Sequence, residues 1–157
     1  MIDEILIVLH LPDLMNNVLE TGLDLADKYS AHITLLMVIP KTQTSTIFYP
    51  SAPHHTPFPM IVNSVNFKSK YEKLLSNALD IAKKTKPQLN ISTKLVRRRP
   101  ADKIIEIATK GECQLIVIGS RGLGLLKRII KRNLSDKVVN KAPCPVVVVK
   151  TDLLKSN

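Results

Sequence analysis

Four short apolar runs set the strongest limit on what this chain can fold into. Residues 5–9, 33–39, 115–118 and 146–149 are almost unbroken Ile, Leu, Val and Met. A strand with one face in water alternates apolar and polar residues, whereas a strand buried on both faces reads as a continuous apolar run. The runs are also too short for buried helices. Between them, apolar residues recur at helical spacing: Leu14, Met15, Val18, Leu19, Leu25, Ala26 and Tyr29, then Tyr71, Leu74, Leu75, Ala78, Ile81 and Ala82, then Ile104, Ile105 and Ala108. A further strand is expected at 91–96, where Ile91, Thr93 and Leu95 alternate with Ser92 and Lys94.

Punctuation agrees with this division. Pro12 suits the first turn of the first helix, and Asp13 its positive dipole end. Pro40 stops the second strand, Pro87 ends the second helix, Pro100 opens the third and Gly111 closes it. A last helix is expected at 133–141. The order β-α-β-α-β-α-β-α-β predicts an α/β fold in which a parallel sheet carries helices on both faces and binds ligands beyond the carboxyl ends of its strands. The 157 residues suit a single domain over 1–157. Within it, residues 40–65 hold five prolines and read as a long Pro-rich loop.

No run reaches the roughly 18–20 residues of a membrane span. The opening residues 1–10 begin with acids and read as a strand, not a signal peptide. Two cysteines cannot make a disulfide framework, so a cytoplasmic setting is expected. The formal charge of +10 is unevenly placed. Residues 1–90 hold eight basic and eight acidic side chains, and residues 91–157 hold fifteen and five. All six arginines fall between Arg97 and Arg132, which suggests an anionic partner for the C-terminal half, although such a cluster also serves as a solvated face.

The chemistry concentrates after the fourth strand, in Gly119-Ser120-Arg121-Gly122-Leu123-Gly124. Glycines let backbone N–H groups approach an anion, and a following helix offers free N–H groups and a positive dipole end. Gly-x-x-Gly after a strand is a weak signal alone, because a tight turn explains it equally well.

Residues 113–149 as a whole, with 117–124 and Lys141-Ala142-Pro143-Cys144-Pro145 leading into the valines, resemble the universal stress protein family. The resemblance extends through the opening strand, residues 32–40 and Pro100-Ala101. It implies a Rossmann-like three-layer αβα sandwich with a five-stranded parallel sheet of order 3-2-1-4-5. It also implies a homodimer formed through the last strand, Val146, Val147, Val148 and Val149. Nucleotide-binding members carry G-x2-G-x9-G-[S/T] and an aspartate at the end of the first strand. Carried over by position, that pattern implies an ATP or other adenine-nucleotide site at His10, Val38, Ile118, Gly119, Arg121, Gly122, Arg132, Asn133, Leu134 and Ser135.

Several of these positions depart from the pattern. Arg132 stands where the third glycine belongs, Asn133 where Ser or Thr does, and His10 where the aspartate does. A glycine usual before Pro-Ala falls within Arg98-Arg99. Arg132 either swings outward or fills the anion's space, and His10 replaces a charged acceptor with a neutral one. Asn133 can still cap a helix.

The first expectation is therefore a dimeric stress-response module with weakened or altered adenine-nucleotide binding. The alternatives are a nucleotide sensor whose Arg132 contacts phosphate, and salt-sensitive association with a polyanion or nucleic acid. Few aromatics and no recognition motif count against sequence-specific nucleic-acid reading. Catalysis is not expected: Ser120 and Ser135 lack a His/Asp arrangement, and Asp136 is the one acid close to the loop. His54-His55 lack further ligands at coordinating spacing, and Cys113 and Cys144 read as packing residues.

Overall fold

The computed structural model of the chain describes residues 1–11, 14–39, 64–120 and 133–150, without the side chains of 64–67. Nine elements follow one another: β1 (Glu4–Leu9), α1 (Met15–Tyr29), β2 (His32–Val38), α2 (Ser64–Thr85), β3 (Ile91–Val96), α3 (Pro100–Lys110), β4 (Leu115–Ser120), α4 (Leu134–Lys141) and β5 (Val146–Lys150). All strand pairings are parallel, in the order β3-β2-β1-β4-β5. This is the expected Rossmann-like sandwich, and the unbroken apolar runs are its central strands.

Alternation along each strand divides the core between two faces. Ile5, Ile7 and Leu9 of β1 join Leu35 and Met37 of β2 beneath Val18 and Leu23 of α1 and Leu75 and Ala82 of α2. Leu6, Val8, Leu36, Ile116 and Ile118 point the other way, toward Ile104 and Ala108 of α3 and Val138 of α4. Ile5, Leu6, Ile7 and Val8 are each 0% exposed, so β1 is closed on both faces. Each such side chain contributes roughly 1.5–3 kcal/mol by leaving water.

The amino end of the sheet is fastened by polar contacts. Gln114 Oε1 accepts from the N–H groups of Asp3 (3.1 Å) and Glu4 (2.7 Å), and His32 Nδ1 lies 2.7 Å from Glu4 Oε1. At the base of α1, Lys86 donates to Asp27 Oδ2 and Gln88 Nε2 donates to Asp27 Oδ1, each at 2.6 Å. The Lys86 ammonium, and then Gln88, hold the Asp27 carboxyl below the ordinary carboxylate range.

Gly111 caps α3 as expected, with φ −84, and the left-handed residue is Glu112 at φ 49. Glycine suits Gly111 for a different reason: a Cβ there would lie 3.0 Å from the Ile107 carbonyl oxygen. The second helix begins at Ser64, inside the span 40–65 that reads as loop. Residues 40–63 lie outside the described residues, as do Pro12 and Asp13. Leu14 is the N-cap position of α1.

Candidate functional site at the carboxyl end of the sheet

The strand order puts β2 and β3 on one side of β1, and β4 and β5 on the other. The two halves diverge between β1 and β4, and ligands of open α/β sheets bind at that reversal, beyond the carboxyl ends. The register shows which residues meet there. Val8 is level with Ile118, Leu9 with Met37, Val38 with Val96, and Gly119 with Val149. His10 follows Leu9 at the end of β1, so His10, Val38, Ile118 and Gly119 lie together at one end of the sheet. His10 is half-buried, with its Nδ1 shut away from solvent.

Above β4, α4 offers its first turn. Asn133 occupies the N-cap position in extended conformation (φ −61, ψ 158), as its residue type predicts, but its side chain makes no capping bond. Its carbonyl accepts from the Lys137 N–H at 3.2 Å. The N–H groups of Leu134 and Ser135 belong to a first turn that has no intrahelical acceptors, so they are suited to an anion. Ser135 is 2% exposed. The structure thus brings His10, Val38, Ile118, Gly119, Asn133, Leu134 and Ser135 to the same end of the fold. Arg121, Gly122 and Arg132 lie outside the described residues, and so do Lys127, Arg128, Lys131 and His54-His55.

Gly119 has a structural role of its own. A Cβ on it would lie 3.0 Å from Val18 Cγ2 and 3.3 Å from Leu14 Cδ1. Its bareness lets α1 close onto β4, whatever it also offers a ligand. The glycine position before Pro100-Ala101 also acquires a reason. Arg99 holds φ 48 and ψ 56, a left-handed conformation that glycine adopts without a Cβ penalty.

The basic face is exposed where it is described. Arg97, Arg98 and Arg99 all reach solvent, and Arg99 Nε stands 3.5 Å from Asp102 Oδ2. Two further cations, Lys137 and Lys141, belong to this face, a placement the sequence reading does not make. Their signal was available as an i, i+4 pair on the last helix.

The thiols are remote from this end. Burial pushes the Cys113 thiol up to about 11 and also raises that of Cys144. Among the described residues, no three His, Cys, Asp or Glu side chains stand together as a metal site, and no helix is long and apolar enough to cross a membrane.

Comparison with known proteins gives a consistent picture. A model of the universal stress protein family matches residues 1–150. A universal stress protein of Thermus aquaticus is 34% identical over 87 residues, covering 51% of this chain and 64% of that protein. The Bacillus subtilis universal stress protein YxiE is 26% identical over 157 residues, covering 96% of this chain and 100% of that one. Among solved structures, a universal stress protein in complex with cAMP superposes with a TM-score of 0.66 at 16% identity, over 96% of this chain and 98% of that one. The universal stress protein of Archaeoglobus fulgidus in complex with dAMP gives 0.62 at 18% identity, over 96% and 98%.

Proposed function

The chain belongs to the universal stress protein family, and from that premise we propose that it is a dimeric stress-response module. It binds an adenine nucleotide in altered fashion at the carboxyl ends of β1, β2 and β4. The observation that carries this reading is the convergence of His10, Val38, Ile118, Gly119 and the first turn of α4 at the sheet's reversal. Solved relatives that hold cAMP and dAMP support the same ligand class.

In this reading the base and sugar lie against His10 and Val38, and the phosphate faces Gly119 and the N–H groups of Leu134 and Ser135. Ile118 is fully buried in the core and supports the site from beneath. By position in the family pattern, Arg121 and Gly122 belong to the phosphate side, and Arg132 stands where that pattern has a glycine. This reading assigns the site binding alone; Asp136, the acid nearest by sequence, is exposed on α4.

The homodimer forms through β5. Val146, Val147, Val148 and Val149 stay half-buried on an outer strand whose far edge lacks a neighbour among the described residues. An apolar strand edge needs covering, and a second copy of the same edge covers it. The opposite edge differs: β3 exposes Lys94, a charged side chain of the kind that blunts edge pairing. A cytoplasmic setting accords with free thiols at Cys113 and Cys144.

Calorimetry with AMP, cAMP and ATP on the wild type and the Arg132→Gly variant tests the reading. Weak binding that strengthens in the variant is expected. Binding that weakens in the variant would instead make Arg132 a phosphate ligand, and no binding by either protein would refute the nucleotide site.

A further inference from the structure

A groove of about 390 Å³ runs between the first turn of α3 and the outer side of α4, lined by Arg99, Pro100, Ala101, Asp102, Leu134, Lys137 and Lys141. We propose that it is a second anion site, which binds a chain of two or more linked phosphates. Its volume suits a small ligand.

Charge sets this groove apart from two other grooves among the described residues. Three cations face one acid. The groove between α1 and α2 is lined by Glu20 and Asp24 with no cation, and the one between α2 and β3 pairs Glu72 with Lys94. The groove's two lysines also lack the acidic partner that their neighbours on α3 share. On α3, Lys103 and Lys110 both reach Glu106 at 2.7 Å. Lys137 and Lys141 have no acidic partner among the described residues. They stand one helical turn apart, about 5–6 Å between Cβ atoms, so each repels the other.

Arg99 closes the third corner. Its left-handed backbone turns the chain into α3 at the groove's rim, and its contact with Asp102 is long and exposed. With Asp102 counted, two positive charges remain in excess, spread between the Arg99 corner and the lysine pair, which an anion charged at more than one point matches better than a single carboxylate. Pro100, Ala101 and Leu134 give an apolar floor with no aromatic ring, so no base-stacking platform is present.

Among the described residues, the groove and the nucleotide site share Leu134. The inference does not rest on nucleotide binding. Linked phosphates come free, as inorganic oligophosphate, or as the tail of a nucleotide.

Calorimetric titration of the full chain with sodium tripolyphosphate at low salt, beside AMP, tests the site. In Lys137→Gln/Lys141→Gln, tripolyphosphate affinity falls at least tenfold while AMP affinity changes less than twofold. Both lysines are exposed, and a circular dichroism melt verifies that the variant folds. Equal tripolyphosphate affinity in both proteins overturns the site, with or without AMP binding. In wild type saturated with AMP, undiminished tripolyphosphate binding identifies free oligophosphate as the ligand. Binding lost only under AMP identifies a nucleotide tail lying in the same groove.

Discussion

Gly119 of β4 lies so close to Val18 of α1 that an added Cβ would stand 3.0 Å from Val18 Cγ2. The strand that carries the candidate site is therefore pressed directly against the helix that leaves β1. Val18 is 2% exposed and cannot move aside without disturbing the core. Gly119→Ala should cost about 1 kcal/mol through overpacking. Val18→Ala alone should cost about 2 kcal/mol through lost burial and a cavity. The double variant should cost less than the two together by about 0.5–1 kcal/mol, because the smaller residue makes room for the methyl. Urea unfolding of the four proteins measures the coupling. Strict additivity would mean that Gly119 serves only a ligand.

The left-handed residues give a second expectation. Ser30, Arg99 and Glu112 have φ of 53, 48 and 49. A Cβ at such a φ costs roughly 1–2 kcal/mol, partly offset by the greater freedom of glycine in the unfolded chain. Glu112→Gly should therefore stabilise by about 0.5–1 kcal/mol and raise Tm by about 2 °C. Arg99→Gly should do the same while weakening tripolyphosphate binding, since it removes a corner of the groove. A drop in Tm for both variants would show that their side chains contribute more than the backbone strain removes.

The central strands were legible because burial on both faces leaves one mark: residues 5–9 and 115–118 contain nothing polar. Their order was not legible from hydrophobicity, which says that a strand is covered but not by which neighbour; the family resemblance supplied it. The site was legible as far as residue types reach. Gly119 stood out as a glycine after a strand, but its contact with Val18 joins residues a hundred positions apart. Arg99 gave no sign of its φ, which the turn from β3 into α3 imposes. Lys137 and Lys141 were visible as a pair on one helix, while Arg99 facing them from α3 is a product of tertiary packing.

Stability should fall in acid through two half-buried carboxylates. Lys103, then Lys110, hold the Glu106 carboxyl at about 2 against an ordinary 4.5. A lowered folded value stabilises the fold fully above the ordinary one, and the contribution is lost as pH falls through about 2. Glu106→Gln should therefore be less stable than wild type at pH 6, with the gap closing by pH 2. Asp27→Asn should behave alike, because Lys86 and Gln88 lower the Asp27 carboxyl. Lys86, raised by Asp27, loses its contribution at the other extreme, as pH climbs past its ordinary 10.5. Urea midpoints across pH read each gap. A gap that stays constant from pH 6 to 2 would mean that the carboxylate charge is irrelevant.

The two thiols should react at different rates. Burial is the main reason that Cys113 sits at about 11, so at pH 8 about one molecule in a thousand is thiolate there. A free cysteine near 8.5 would be about a quarter ionised. Cys144 is raised too, but it is half-buried. Iodoacetamide followed by mass spectrometry should modify Cys144 first, with Cys113 slower than a free thiol by about a hundredfold until the protein unfolds. Equal rates for the two would contradict the packing of Cys113 against Ala108 and Ile116.

His10 separates a structural from a ligand-binding role at the end of β1. Its Nδ1 is shut from solvent while the residue as a whole is half-buried, so an acid in its place would be partly desolvated. Without a ligand, His10→Asp should lower Tm, because partial burial penalises the charged carboxylate. With AMP, a sugar hydroxyl would donate to it, and a hydrogen bond to a charged acceptor exceeds a neutral one by about 1 kcal/mol. AMP should then bind about fivefold more tightly than to wild type, and should raise the Tm of this variant more than it raises that of wild type. His10→Ala supplies the opposite control, with weaker AMP binding and no ligand-dependent recovery. Equal AMP affinity in all three proteins would remove His10 from the site and leave the sugar to be held elsewhere along the ends of β2 and β4.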